Sequence, residues 1–124
     1  MPRVGPSPAP VATSVVPADA TIMVERVRLL RRRGNELTRY LAGASGPSPP
    51  IWRNVAVQDR ALALRTRLGS GRVRFADPAW RVTADRAGMT TRTQRASTPL
   101  ELRAEFVWRD DMWLVEALYT EDLQ

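Results

Sequence analysis

The residues of this chain best equipped for chemistry are arginines. Arg31-Arg32-Arg33, with Arg26, Arg28 and Arg39, form its densest charged group. A guanidinium presents a planar fork of donors that fits carboxylate and phosphate oxygens. A helix face carrying several would contact an acidic protein or follow a nucleic-acid backbone. The same residues also fit a solvated helix face, which charged helices routinely present. No helix-turn-helix, zinc-knuckle or aromatic RNA-binding pattern accompanies them, so any nucleic-acid binding would be electrostatic and salt-sensitive.

Other chemistries are excluded by composition. The 124 residues include no cysteine and no histidine. Disulfides, thiolate nucleophiles and Cys/His metal sites are ruled out, as is the commonest general base near neutral pH. Catalysis would fall to Asp, Glu, Tyr or Ser/Thr alone, or to a bound cofactor; no metal or cofactor motif is present, and none is expected. All 19 basic residues are arginine, which with abundant Ala, Pro and Gly marks a GC-rich bacterial genome. The net charge of +6 favours acidic partners. That charge is uneven. From Ala20 to Arg74, twelve arginines face three acids; from Pro99 to Gln124, two arginines face seven. The basic and acidic halves complement each other within one fold, or head to tail between copies.

The elements that must position these residues follow from periodicity. Residues 1–17 hold five of the ten prolines and little pattern, and read as a disordered tail. The mildly apolar run Ala9–Ala18 is interrupted by Pro10 and Pro17, a poor leader. No stretch approaches the roughly 20 apolar residues of a membrane span, and a cytoplasmic protein is expected. Residues 18–120 read as one α+β domain, followed by a short acidic tail, 121–124. Asp19 is placed to cap a helix running to about Ala42, with Met23, Val27, Leu30, Gly34, Leu37 and Leu41 as one apolar stripe. Arg28, Arg31, Arg32 and Arg39 occupy the opposite face. Ser48-Pro49 opens a second helix, about Ile51–Leu68. Its stripe is Val57, Ala61, Leu64 and Leu68, widened by Trp52, Val55 and Leu62.

From Arg72 the period becomes two. Val73 and Phe75 lead to a bend at Asp77-Pro78. Trp80, Val82 and Ala84 follow, then a turn at Ala87-Gly88 and a Thr-rich strand, Met89–Gln94. The last hairpin, Leu100–Tyr119, places Leu100, Leu102, Ala104, Phe106 and Trp108 on one face. With Asp110-Asp111 at the tip, Trp108 meets Trp113, Phe106 meets Val115, and Ala104 meets Ala117. Glu105 then opposes Glu116, a like-charge pair. Val107, Leu114 and Leu118 fall on the outer face, where an exposed apolar patch would join two copies. Trp80, Trp108 and Trp113 read as core.

Two amphipathic helices followed by an antiparallel sheet resemble the cystatin-like cone of the nuclear transport factor 2-like superfamily. The resemblance rests on Phe106-Val-Trp-Arg-Asp-Asp-Met-Trp-Leu-Val115, similar to that superfamily's closing hairpin, and on the bent segment Val73–Val82. It implies two helices packed on a curved antiparallel sheet of about four strands. It also implies a cone-shaped pocket that takes small molecules in isomerases, dehydratases and epoxide hydrolases, while other members serve as dimerisation or accessory modules. The isomerase arrangement would draw on Tyr40, Asp59 and Asp85. The epoxide-hydrolase arrangement would draw on Arg81 and Asp85, on the same side of one strand. Surface positions and a helix-end tyrosine explain these residues more simply than catalysis does. The sequence therefore reads as a non-enzymatic interaction module. It would be homodimeric through its sheet, with the basic helix for an acidic protein. Nucleic-acid binding and a small-molecule pocket enzyme are the alternatives.

Overall fold

An apolar stripe on a long helix and an alternating sheet can bury one another only face to face, and this chain does so. The computed structural model describes residues 10–69 and 73–123, with backbone alone for residues 10–19. In order these form α1 (Pro10–Leu41), α2 (Val55–Leu68), β1 (Arg74–Phe75), β2 (Ala79–Val82), β3 (Arg86–Arg95), β4 (Leu100–Arg109) and β5 (Met112–Asp122). The architecture is α+β, with both helices laid on an antiparallel sheet.

α1 begins at Pro10, ahead of the expected cap at Asp19, so helical backbone replaces the expected disordered tail over residues 10–17. Proline suits a first helical turn, where its missing N–H costs nothing. The rest of that expected tail lies outside the described residues. Leu30, Leu37 and Leu41 are fully buried, as their spacing requires. α2 starts at Val55 rather than Ile51, because Asn54 adopts an extended backbone and its side chain accepts a bond from Val57 N–H. Val57, Ala61, Leu64 and Leu68 are its buried stripe. Val55 and Leu62, expected to widen it, are exposed.

The expected strand bent at Asp77-Pro78 is two strands, β1 and β2, end to end along one edge of β3. Between them Ala76 N–H donates to the Arg92 carbonyl at 2.8 Å, and Thr91 Oγ1 donates to the Ala76 carbonyl at 2.5 Å. The next turn is at Thr83–Asp85, not Ala87-Gly88. Thr83 closes it twice on the Arg86 carbonyl, through its N–H at 2.8 Å and its hydroxyl at 3.1 Å. Ala87 and Gly88 instead belong to β3.

The final hairpin turns at Asp110 and Asp111, with φ of 51° and 62°. Two left-handed residues make the turn whose twist suits a two-residue hairpin, and Asp tolerates it. Trp108 faces Trp113 and Phe106 faces Val115, as expected. A bulge then intervenes: Glu105 pairs with Ala117 and Ala104 with Leu118. The extra residue is Glu116, so the like-charge pair with Glu105 never forms. Beyond the bulge the faces of β5 exchange. Leu118 enters the core at 2% exposure, and Tyr119 turns out.

Both sheet edges are obstructed. Residues 51–53 lie against β5: Val115 N–H donates to Ile51 O at 2.8 Å, and Arg53 N–H to Val115 O at 2.9 Å. Farther along, Arg60 Nε donates to the Leu118 carbonyl at 2.7 Å, and Arg67 pairs with Asp122. The opposite edge is broken between β1 and β2 at Asp77-Pro78.

α1 approaches β2 and β3 closely at Gly34. A Cβ built there would lie 2.5 Å from Trp80 Cη2 and 3.3 Å from Met89 Sδ. Trp80 in turn leans on Phe106, ring centroids 5.8 Å apart. Gly34→Leu is expected to destabilise the fold by about 1–3 kcal/mol, the usual cost of overpacking, despite its better helix propensity. Urea unfolding would measure this, and an unchanged or raised midpoint would contradict the close approach.

Candidate functional site

The six arginines singled out on α1 divide into two groups. Arg26 and Arg33 turn toward the fold, and Arg28, Arg31, Arg32 and Arg39 form an exposed ridge on the face opposite Leu30, Leu37 and Leu41. At 1.5 Å per residue this ridge is about 16 Å long.

Arg26 fastens α1 to the end of the sheet. Its Nη1 donates to the Ala84 carbonyl at 2.6 Å. Its guanidinium lies 4.5 Å from the Trp108 ring centroid, and its own carbonyl accepts the Trp113 indole N–H at 2.9 Å. Trp108 and Trp113 meet edge to face at 5.3 Å. Arg33 is largely buried and pairs with Glu36 at 2.9 Å. Arg28 pairs with Glu25, whose hydrogen bond and negative charge raise the arginine pKa above its ordinary value. Arg31, Arg32 and Arg39 have no ion-pair partner among the described residues.

The arginines of α2 are mostly structural. Arg60 holds the β5 edge, and Arg67 reaches Asp122. Arg65 donates to the Tyr40 carbonyl at 2.9 Å and lies 4.7 Å over the Tyr40 ring.

The outer sheet face is not the expected apolar patch. Leu118 is in the core because the bulge reverses its side, and Leu114 is half-buried. Val107 is 3% exposed. Arg86 on β3 reaches Glu116 on β5 at 2.7 Å, and β4 runs between those strands. The bridge must therefore cross β4, and Val107 is the residue opposite Arg86. Glu116 also binds Arg53 at 2.8 Å, Arg92 approaches Glu101 at 3.5 Å, and Arg103 stacks on Tyr119. This face is a mesh of paired charges.

The weak catalytic candidates do not converge. Tyr40 is buried near the C-terminal end of α1, stacked edge-on to Trp52 at 5.4 Å. Arg81 is exposed on the outer face, its Nη2 3.0 Å from where a Gly88 Cβ would be. Asp85 is exposed in the β2–β3 turn, beyond the strand end rather than beside Arg81 on one strand. α1 reaches that turn at Arg26, about 21 Å along the helix from Tyr40. Asp59 is exposed on α2. Within the cone, Leu30, Leu37, Met89, Phe106 and Trp113 share one buried core cluster, against which Trp80 packs. Among the described residues, no three Asp or Glu gather as a metal site would require. No helix there is long and apolar enough to cross a membrane.

Sequence periodicity missed one feature. Met23, Val24, Val27, Arg28 and Arg31 line a shallow groove on α1. Met23 and Val27 belong to the stripe expected in the core, yet they are only partly covered, and Val24 is 69% exposed.

This arrangement has the nuclear transport factor 2-like fold. The chain is similar to the crystal structure of an NTF-2 like protein of unknown function from Silicibacter pomeroyi. That likeness has a TM-score of 0.59 at 12% identity, and covers 82% of this chain and 98% of the other. No protein-family model matches the chain, and no curated protein matches it. Likeness at this identity defines the fold and leaves the activity to be argued from the site.

The division of arginines gives a direct check. Arg26→Ala is expected to cost about 1–2 kcal/mol, from the lost carbonyl bond and ring contact. Arg31→Ala is expected to change stability by less than about 0.5 kcal/mol. Thermal and urea unfolding of the two variants would measure this. Equal losses would mean that the ridge is structural too.

Proposed function

We propose that this chain is a non-enzymatic interaction module that binds an acidic protein through the arginine ridge of α1. The observation that carries this reading is the unpaired state of Arg31, Arg32 and Arg39, in a fold that ties many of its other arginines to carboxylates, carbonyls or rings. Exposed, convergent guanidinium groups on one helix face suit carboxylates. The packing of Trp80 against Gly34 inside the cone supports a binding role over pocket chemistry.

A protein partner is favoured over nucleic acid by what borders the ridge. The groove at its N-terminal end is apolar, lined by Met23, Val24 and Val27. Single-strand binders present aromatic side chains for base stacking, and the exposed aromatic among the described residues is Tyr119, on the sheet's outer face rather than on α1.

Fluorescence anisotropy tests this with a labelled peptide of interspersed Glu and Leu, and in parallel with a labelled duplex, across a salt titration. The peptide is expected to bind with a Kd in the micromolar range, weakening with salt. The double variant Arg31→Glu/Arg32→Glu should weaken it on the order of tenfold or more. Equal binding by that variant, or none at low salt, would defeat the proposal. Tighter binding of the duplex, with a steep negative salt slope, would transfer the ridge to nucleic acid.

A further inference from the structure

The apolar stripe of α1 is incompletely covered where the helix meets the end of the sheet. Arg26 touches the β2–β3 turn at Ala84 and the hairpin end at Trp108 and Trp113. These two turns share one end of the sheet, since Trp108 N–H bonds the Asp85 carbonyl at 2.8 Å. α1 continues past that end toward Pro10. Met23 and Val27, on the buried stripe by spacing, are only partly covered there. With Val24 they form the apolar floor of the groove, and Arg28 and Arg31 form its rim.

The same end of the molecule carries a knob of matching chemistry. The β4–β5 tip presents Met112, 38% exposed, beside Asp110 and Asp111. Neither aspartate has an ion-pair partner among the described residues, and the exposed Arg109 adjoins them. One apolar side chain flanked by two carboxylates suits an apolar groove rimmed by guanidinium groups. Within one chain the tip cannot turn back onto the groove, because Trp108 and Trp113 just behind it are fixed to Arg26 on a neighbouring face of α1.

We propose that the acidic partner of α1 is a second copy of this chain. The hairpin tip of each copy seats Met112 on Met23, Val24 and Val27 of the other, with Asp110 and Asp111 against the unpaired Arg31 and beside Arg28, which Glu25 already holds. This inference rests on the acidic-partner reading and names the partner. Groove and knob lie at one end of the molecule, so a two-fold axis there satisfies both at once. The contact closes as a dimer instead of propagating as a filament. Its two small patches place it among weak, transient interfaces, with a Kd on the order of 10–100 μM.

Sedimentation velocity of the full chain across that concentration range is the test. Wild type is expected to shift from monomer toward dimer as concentration rises. Val24→Glu and Met112→Glu, both at exposed positions, should each weaken the dimer on the order of tenfold or more. Arg31→Glu should do the same, and Asp111→Arg in the same chain should recover most of the loss. Leu114→Glu, on the outer sheet face, should leave the association unchanged, and circular dichroism would verify the fold of every variant. A chain that stays monomeric throughout, or a dimer indifferent to Val24→Glu and Met112→Glu, overturns the inference. Loss of the dimer in Leu114→Glu alone would assign association to the sheet. A monomer that still binds the Glu/Leu peptide through Arg31 and Arg32 would overturn the second copy while leaving the acidic-partner reading standing.

Discussion

The close packing of α1 on Trp80 depends on a side chain that is missing. Gly34 lets the Trp80 indole lie against the helix backbone, and Trp80 then closes over Phe106 and Met89. A larger residue would lift the helix from the concave face, and Leu30 and Leu37 would lose the contacts that keep them dry. Arg26 acts two turns earlier, where the stripe meets the sheet's end, and joins the helix to two strand connections. The apolar seam supplies the driving force, which is non-directional. Glycine and arginine supply the registration that such a force lacks.

The bulge in β5 has a comparable reach. One additional residue sends Leu118 inward and Tyr119 outward, and frees Glu116 from the pairing scheme. Glu116 then gathers Arg53 and Arg86 from opposite directions, and Val107 disappears beneath the bridge. A surface that simple alternation makes apolar becomes polar and internally neutralised. The end of the molecule, not the sheet face, is where apolar groups and unpaired charge coincide.

Much of this was legible in the residues, and the illegible remainder has a common cause. Helical stripes, the change of period after Arg72 and the Trp108–Trp113 pairing are local repeats, so the chain states them directly. The fold follows from them, and the likeness to a solved nuclear transport factor 2-like structure agrees. The bulge at Glu116 is invisible to alternation because two-residue periodicity has no means of marking an extra residue. Ile51 looks like the start of a helix until Asn54 takes the cap and residues 51–53 bond β5. Ala87-Gly88 looks like a turn until Thr83 closes one earlier. The arginine cluster was visible as a group. Which members are exposed depends on where Trp108 and Ala84 lie, and the groove depends on where the sheet stops. Those are tertiary facts without a local signature.

The obstructed edges carry a consequence for how this protein behaves when crowded. A strand from another molecule adds to a sheet by bonding a row of free backbone groups. On β5 that row is interrupted by residues 51–53 and by the Arg60 guanidinium. On the other side, among the described residues, no uninterrupted segment exceeds the four residues of β2. Backbone templating, the generic and sequence-blind route to insoluble assemblies, is thereby closed at both margins. Encounters between molecules are left to side chains, which can discriminate one neighbour from another and release it again.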